Sequence, residues 1–205
     1  MAESITNAPS IDPVARWAEN QDWIRPEIEE TAQAAVHSTF ELMGSAGESV
    51  KSFLQGDWLH EPLHAAVTDV PIGAWTATAA FDAIASLTGS TEMDFAADAT
   101  LWVGLAAATL AAASGLADWS EINDPRPRRI GAVHAIMNVA ATGLFAASGI
   151  MRRNRESRST GRALATLGYV LVGISAHLGG SLVYEHGMGL QPPVAKALEG
   201  DAASI

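Results

Sequence analysis

Four long apolar stretches dominate the chain, and their length limits what it can fold into. They run from about Ala65 to Leu87, Ala96 to Trp119, Ile130 to Met151 and Ala163 to Tyr184. Each holds roughly 20–24 residues, enough at about 1.5 Å per residue to cross a hydrocarbon layer about 30 Å thick. Brief polar connections separate them: TGSTEMD, SEINDPRPRR and RRNRESRSTGR. Pro125 and Pro127 stop the second stretch, and Gly161 opens the fourth. The pattern specifies an all-α fold: a four-transmembrane-helix up-down bundle with spans at about 65–87, 96–119, 130–151 and 163–184. An acidic, partly helical N-terminal region, residues 1–57, precedes a membrane domain at 58–190, and a tail follows at 191–205. The competing reading is a soluble bundle of Ala-rich helices. Asp69 and Asp82 favour it, because a carboxylate at a bilayer centre costs about 2.5–3.5 kcal/mol on insertion scales. Four consecutive stretches of membrane length, dotted with Gly and Ala that let helices approach closely in lipid, favour the membrane.

Charge is distributed to match. The 205-residue chain is formally −11, with 17% charged residues, where soluble domains carry about 25%. Residues 1–62 hold 11 of the 23 acids and 3 of the 12 bases, and no Lys or Arg lies between Lys51 and Arg126. A chain so acidic, with so long a stretch free of cations, is a poor binder of nucleic acid, whose phosphates call for clustered cations. Without Cys it has no disulfide, no cysteine-ligated cluster and no covalently attached haem. The N-terminus, MAESITNAPSIDP, lacks the basic and apolar regions of a signal peptide. RPEIEETAQAAVHSTFELM reads as an amphipathic helix, and a shorter helix surrounds Val50, Phe53 and Leu54. This acidic region is expected to cap the bundle or dock a protein partner. Trp58, Trp75 and Trp119, near span ends, suit an aromatic belt.

Tracing the up-down path gathers polar groups on one side of the membrane, side A, which carries both termini. His60 and His64 start the first span, Asp118 ends the second, and His134 and Asn138 lie one turn into the third. His177 lies two turns short of the end of the fourth, with His186 just past it. Arg126, Arg128 and Arg129 border the same side, against five Arg on side B, which leaves the orientation open. Imidazoles at membrane depth are costly unless paired, and helical bundles build cofactor sites from facing helices. A b-type haem is therefore expected on His64 and His134, with His177 or His60 as a substitute ligand and Arg126, Arg128 and Arg129 on its propionates. A bare metal ion would draw on His60, His64, Asp69, Asp118 and His134. The plainer alternatives are hydrogen bonds from these histidines to Asp69, Asp118 or Asn138, and an Asp82 that anchors one helix to another. A proton path along Asp69, Asp82 and the histidines is a third, weaker reading. No nucleophile–base–orienter set or phosphate loop marks an enzyme.

The run WLHEPLHAAVTDVPIGAW, Trp58 to Trp75, resembles the opening motif of the DUF2231 family of four-helix bacterial membrane proteins. GLADWSEI (Gly115–Ile122), RRIGAVHAIMN (Arg128–Asn138), Ser148 with Arg152, and LGGSLVYEHGMGL (Leu178–Leu190) follow in the family's order. The likeness covers roughly residues 54–190. It departs at Glu61, where members often carry His, and at Ala65, where they carry Pro. His64, Asp69, Pro71, Gly73, Asp118, His134 and Asn138 stand as the family's pattern has them. The resemblance implies a multi-pass protein of the bacterial inner membrane with no settled activity. Some members are fused to a Rieske-type iron–sulfur domain, which implies an electron-transfer setting. With no Cys in this chain, such a redox partner is expected as a separate protein, and homo-oligomers are also expected.

Overall fold

The computed structural model describes residues 10–189, so the expected tail at 191–205 and the first nine residues lie outside the described residues. Among the described residues the secondary structure is helical, with no strand. The N-terminal region forms α1 (Pro13–Glu19), α2 (Pro26–Leu42) and α3 (Ser45–Gln55). The long helices are α4 (Leu63–Thr88), α5 (Thr91–Trp119), α6 (Pro125–Met151) and α7 (Arg158–Tyr184).

Local chemistry sets these boundaries. Gly89, at φ +71°, closes α4, and Ser90 caps α5 by accepting from the Met93 N–H at 3.2 Å. Most of TGSTEMD is therefore helix rather than loop. Asp124 accepts from the Arg126 N–H at 3.0 Å, and Pro125 takes the first helical position. The prolines thus start α6, and α5 has already ended at Trp119. Gly161 lies inside the first turn of α7, with the Arg152 side chain and the Ser148 carbonyl against it.

α4 pairs with α5 and α6 with α7 as two tight hairpins, and α5–α6 and α4–α7 contacts close the ring, so α4 and α6 face each other diagonally. Mid-bundle, Trp75 stacks on Phe145 with centroids 4.0 Å apart, among Leu101, Ala141, Ala165 and Val172. Gly104 makes room for the Trp75 indole: a Cβ there would stand 2.3 Å from its Nε1. Trp119 is buried too, donating to the Arg128 carbonyl at 2.9 Å. Trp75 and Trp119 are therefore core residues rather than an aromatic belt, and Trp58 alone of the three is exposed.

The four long helices carry apolar windows of mean hydropathy 1.2, 1.6, 1.6 and 1.4, yet only 22–28% of each window is buried by protein. A soluble bundle of this composition would hide its apolar surface inside itself, so the cover here is lipid. The chain is a four-span membrane protein.

At the side B end the helices are locked by ions. Arg152, buried at the end of α6, holds both carboxylate oxygens of Asp82 and reaches Asp98 at 3.3 Å. Arg158 pairs with Asp94 and Asp98 at 2.9 Å each, and Arg162 pairs with Asp94 at 2.5 Å. Ser148 joins in, accepting from Arg152 Nε and donating to the Gly161 carbonyl. Asp82 is thus a helix–helix anchor rather than a step on a path from Asp69.

At the side A end the N-terminal region packs onto its own bundle. Glu29 of α2, 2% exposed, takes a two-pronged bond from Arg129 at 2.6 and 3.2 Å and lies 3.6 Å from Arg128. Gln33 donates to the Trp119 and Ile122 carbonyls at 3.0 Å each, tying α2 to the end of α5. α3 lies against α4 and α5, and Lys51 pairs with Glu121.

Candidate functional site

Two of the expected ligands meet. His64, in the first turn of α4, and His134, in the third turn of α6, approach across the diagonal of the bundle. Their ring centroids are 6.2 Å apart and their planes are inclined at 87°. Each ring is held from behind by a neighbouring backbone. His64 Nδ1 donates to the Ala111 carbonyl at 2.8 Å, and His134 Nδ1 to the Ser175 carbonyl at 2.8 Å. A carbonyl can only accept, so both Nδ1 atoms carry the proton and both Nε2 atoms keep a lone pair. Asn138, one turn along α6, donates to His134 Nε2 at 3.0 Å. Among the described residues His64 Nε2 has no hydrogen-bond partner. Ser175 Oγ closes a second link by donating to the His134 carbonyl at 3.2 Å.

Glycines admit the rings. A Cβ on Gly115 would lie 2.8 Å from His64 Cε1 and Nδ1, and one on Gly179 would lie 3.2 Å from His134 Cε1. Gly115 is one turn from Ala111, and Gly179 one turn from Ser175. Each partner helix thus offers an acceptor carbonyl and, one turn away, space for the ring. Residue chemistry does not signal these positions, because the working groups are backbone carbonyls and missing side chains.

The other expected ligands lie elsewhere, for reasons of helical geometry. Asp69 follows His64 by five residues, about 140° round the helix, and is exposed on the outer face of α4. His60 precedes the helix in a turn, exposed, at φ +58°. His177 follows Ser175 by two residues, about 200° of rotation, so it faces outward when Ser175 faces His134. There it bonds Asp12 at 2.7 Å. Asp118 is half-buried at the end of α5, and its carboxylate has no hydrogen bond or ion pair among the described residues. Among those residues no group of three His, Cys, Asp or Glu side chains is placed to hold a metal ion. Arg128 and Arg129 are engaged by Glu29 and Glu30, and Arg126 is half-buried at the start of α6.

No curated protein and no solved structure matches the chain. Residues 60–192, from His60 through all four long helices, match the family described as "Predicted membrane protein (DUF2231)". That stretch holds the histidine pair, the glycines behind it and the whole side B ion network, and it spans well over half of the sequence; the chain belongs to the DUF2231 family.

Proposed function

We propose that this protein is an electron-transfer subunit of the bacterial inner membrane that holds a b-type haem between His64 and His134. The reading rests on one observation, the 6.2 Å separation of two imidazoles presented from opposite helices. Rings bound through nitrogen to opposite sides of one metal, with bonds of about 2.0–2.1 Å, have centroids roughly 6 Å apart. The donor chemistry agrees. Tying Nδ1–H to a carbonyl fixes the tautomer that turns Nε2 toward a metal and raises its basicity. Without Cys the group would be held by these two rings and by packing alone. When bound, it supplies one-electron chemistry.

The chain's own residues orient, make room and exclude water. Ala111 and Ser175 fix the rings, and Gly115 and Gly179 leave space for them. Asn138 occupies the His134 lone pair, and would have to release it for that nitrogen to hold a metal. Trp75 and Phe145 fill the bundle toward side B. A separate redox protein, of Rieske or another type, is the fitting partner.

The test is an absorption spectrum of the detergent-purified protein after haem-supplemented expression, with metal analysis alongside. A Soret band at one haem per chain, lost in both His64→Ala and His134→Ala, supports the reading. No Soret band and no stoichiometric metal overturns it. The Asn138 bond favours a second reading, in which the pair is a hydrogen-bonded lock in a non-catalytic membrane scaffold. In that case the same two variants lower thermal stability without any chromophore to lose.

A further inference from the structure

We infer that α1 and the turn after it lie inside the side A leaflet as an interfacial helix in contact with lipid, rather than above the membrane. Depth is the first argument. Val14, Ala15 and Ala18 of α1 pack with Ile130 and Val133 of α6 and Leu178 of α7, with Met137 beside them. Val133 lies eight residues past Pro125, and His177 seven residues before Tyr184. At about 1.5 Å per residue those levels are about 12 Å and 10 Å below the side A ends of their helices. The long helices exceed a hydrocarbon layer of about 30 Å by only a few ångströms at each end. α1 therefore runs beside the spans, not over their rims. The groove between Val14 and α7 continues inward along His177, Ile174, Gly173 and Val170. Val170 and Ile174 belong to the exposed outer face that lipid covers, so α1 borders an established lipid contact.

The exposed side of α1 fits the same place. Ile11, Trp17 and Trp23 are 86%, 53% and 61% exposed. Tryptophan, with an apolar ring and one N–H, settles where headgroups meet acyl chains. The charges of α1 and its cap are bonded within the protein, as a low-dielectric setting requires, while Asp22 and Arg25 of the following turn are exposed, as the headgroup level allows. Asp12 accepts from the Val14 and Ala15 N–H groups and from His177. Arg16 donates to the Ser10 and Ile11 carbonyls, and Glu19 accepts from Ser10 Oγ at 2.6 Å.

The absence of Cys makes the test direct. Single variants Ile11→Cys, Trp17→Cys and Trp23→Cys of the full chain are spin-labelled in lipid nanodiscs, with Leu167→Cys as the lipid control and Arg155→Cys as the aqueous one. Collision rates with oxygen and with a water-soluble nickel chelate are then compared. The expected result is an oxygen-to-nickel ratio at Ile11 and Trp17 nearer the Leu167 value. A ratio at the Arg155 value overturns the inference, and so does protection from both reagents, which would mean a second copy or another protein covers α1. Where a Cys variant fails to fold, brominated lipids replace the label. Loss of part of the quenchable emission in Trp17→Phe supports the inference, and quenching identical to the parent protein overturns it.

Discussion

His64 and Asp69 are five residues apart, and about 140° of helical rotation sends one to the centre of the bundle and the other to its outer face. The same rule separates Ser175 from His177. Residue identity marks His64, Asp69 and His177 as notable, and only the helical phase tells which of them can meet. His134 and Asn138 were legible as an i, i+4 pair, and they are bonded. The supports of the site were not, since Ala111 and Ser175 act through carbonyls and Gly115 by having no side chain. That role has a measurable consequence. Gly115→Ala puts a methyl 2.8 Å from the His64 ring, so the ring must leave the Ala111 carbonyl or α4 must shift. A loss of about 1–3 kcal/mol is expected, the cost of overpacking a filled site, read as a lowered unfolding midpoint in detergent. Gly143→Ala, with open space where its Cβ would go, serves as the neutral control.

Among the helices, the four long ones were readable from apolar length alone, because lipid replaces the protein partner that would otherwise impose a polar face. Their ends were not, because Thr91, Glu92, Asp94 and Pro125 look like loop residues and serve as first-turn helix residues. The side B lock was readable only in part. Asp82 stood out inside a span, whereas Asp94, Arg158 and Arg162 passed as loop charge and Asp98, inside the second span, was not singled out. Their spacing was the missed signal: Asp94/Asp98 and Arg158/Arg162 are both i, i+4 pairs facing one another. Within this lock burial decides the weight of each ion. The Arg152 side chain is 2% exposed, and its removal strands Asp82 in the core, so Arg152→Ala is expected to cost about 3–5 kcal/mol. Arg162 is 24% exposed and shares Asp94 with Arg158, so Arg162→Ala is expected to cost about 1 kcal/mol or less. Thermal unfolding of the two variants side by side checks the order. Equal losses would mean that the lock is not graded by burial.

The N-terminal region and the bundle form one folded body, joined through Glu29 to Arg128 and Arg129, and through α1 to α6 and α7. The sequence showed an acidic region and an apolar one but not their mutual fit, since buried Glu29 reads as one acid among many. The attachment of α1 depends on pH in a defined direction. The Ala15 N–H, and after it His177, hold the Asp12 carboxyl below its ordinary range. A carboxyl depressed in the folded state stabilises it fully above its unfolded value, about pH 3.9, and that contribution disappears as pH falls through the folded value. Acid should therefore release α1 before it disturbs the spans. Hydrogen exchange along residues 14–18 is expected to rise below about pH 4 while α4–α7 stay protected, and Asp12→Asn should abolish that step.

The ion lock also dictates an order of events during synthesis. Asp82, Asp94 and Asp98 all lie on the α4–α5 hairpin, and Arg152, Arg158 and Arg162 all sit at or after the end of α6. The first hairpin leaves the ribosome with the lock's three carboxylates and no Lys or Arg of its own, and the second brings the lock's three guanidiniums. Neither half can shed its charge in the bilayer until the other arrives, so the two hairpins are obliged to recognise each other, and a chain interrupted between them carries its own mark of incompleteness.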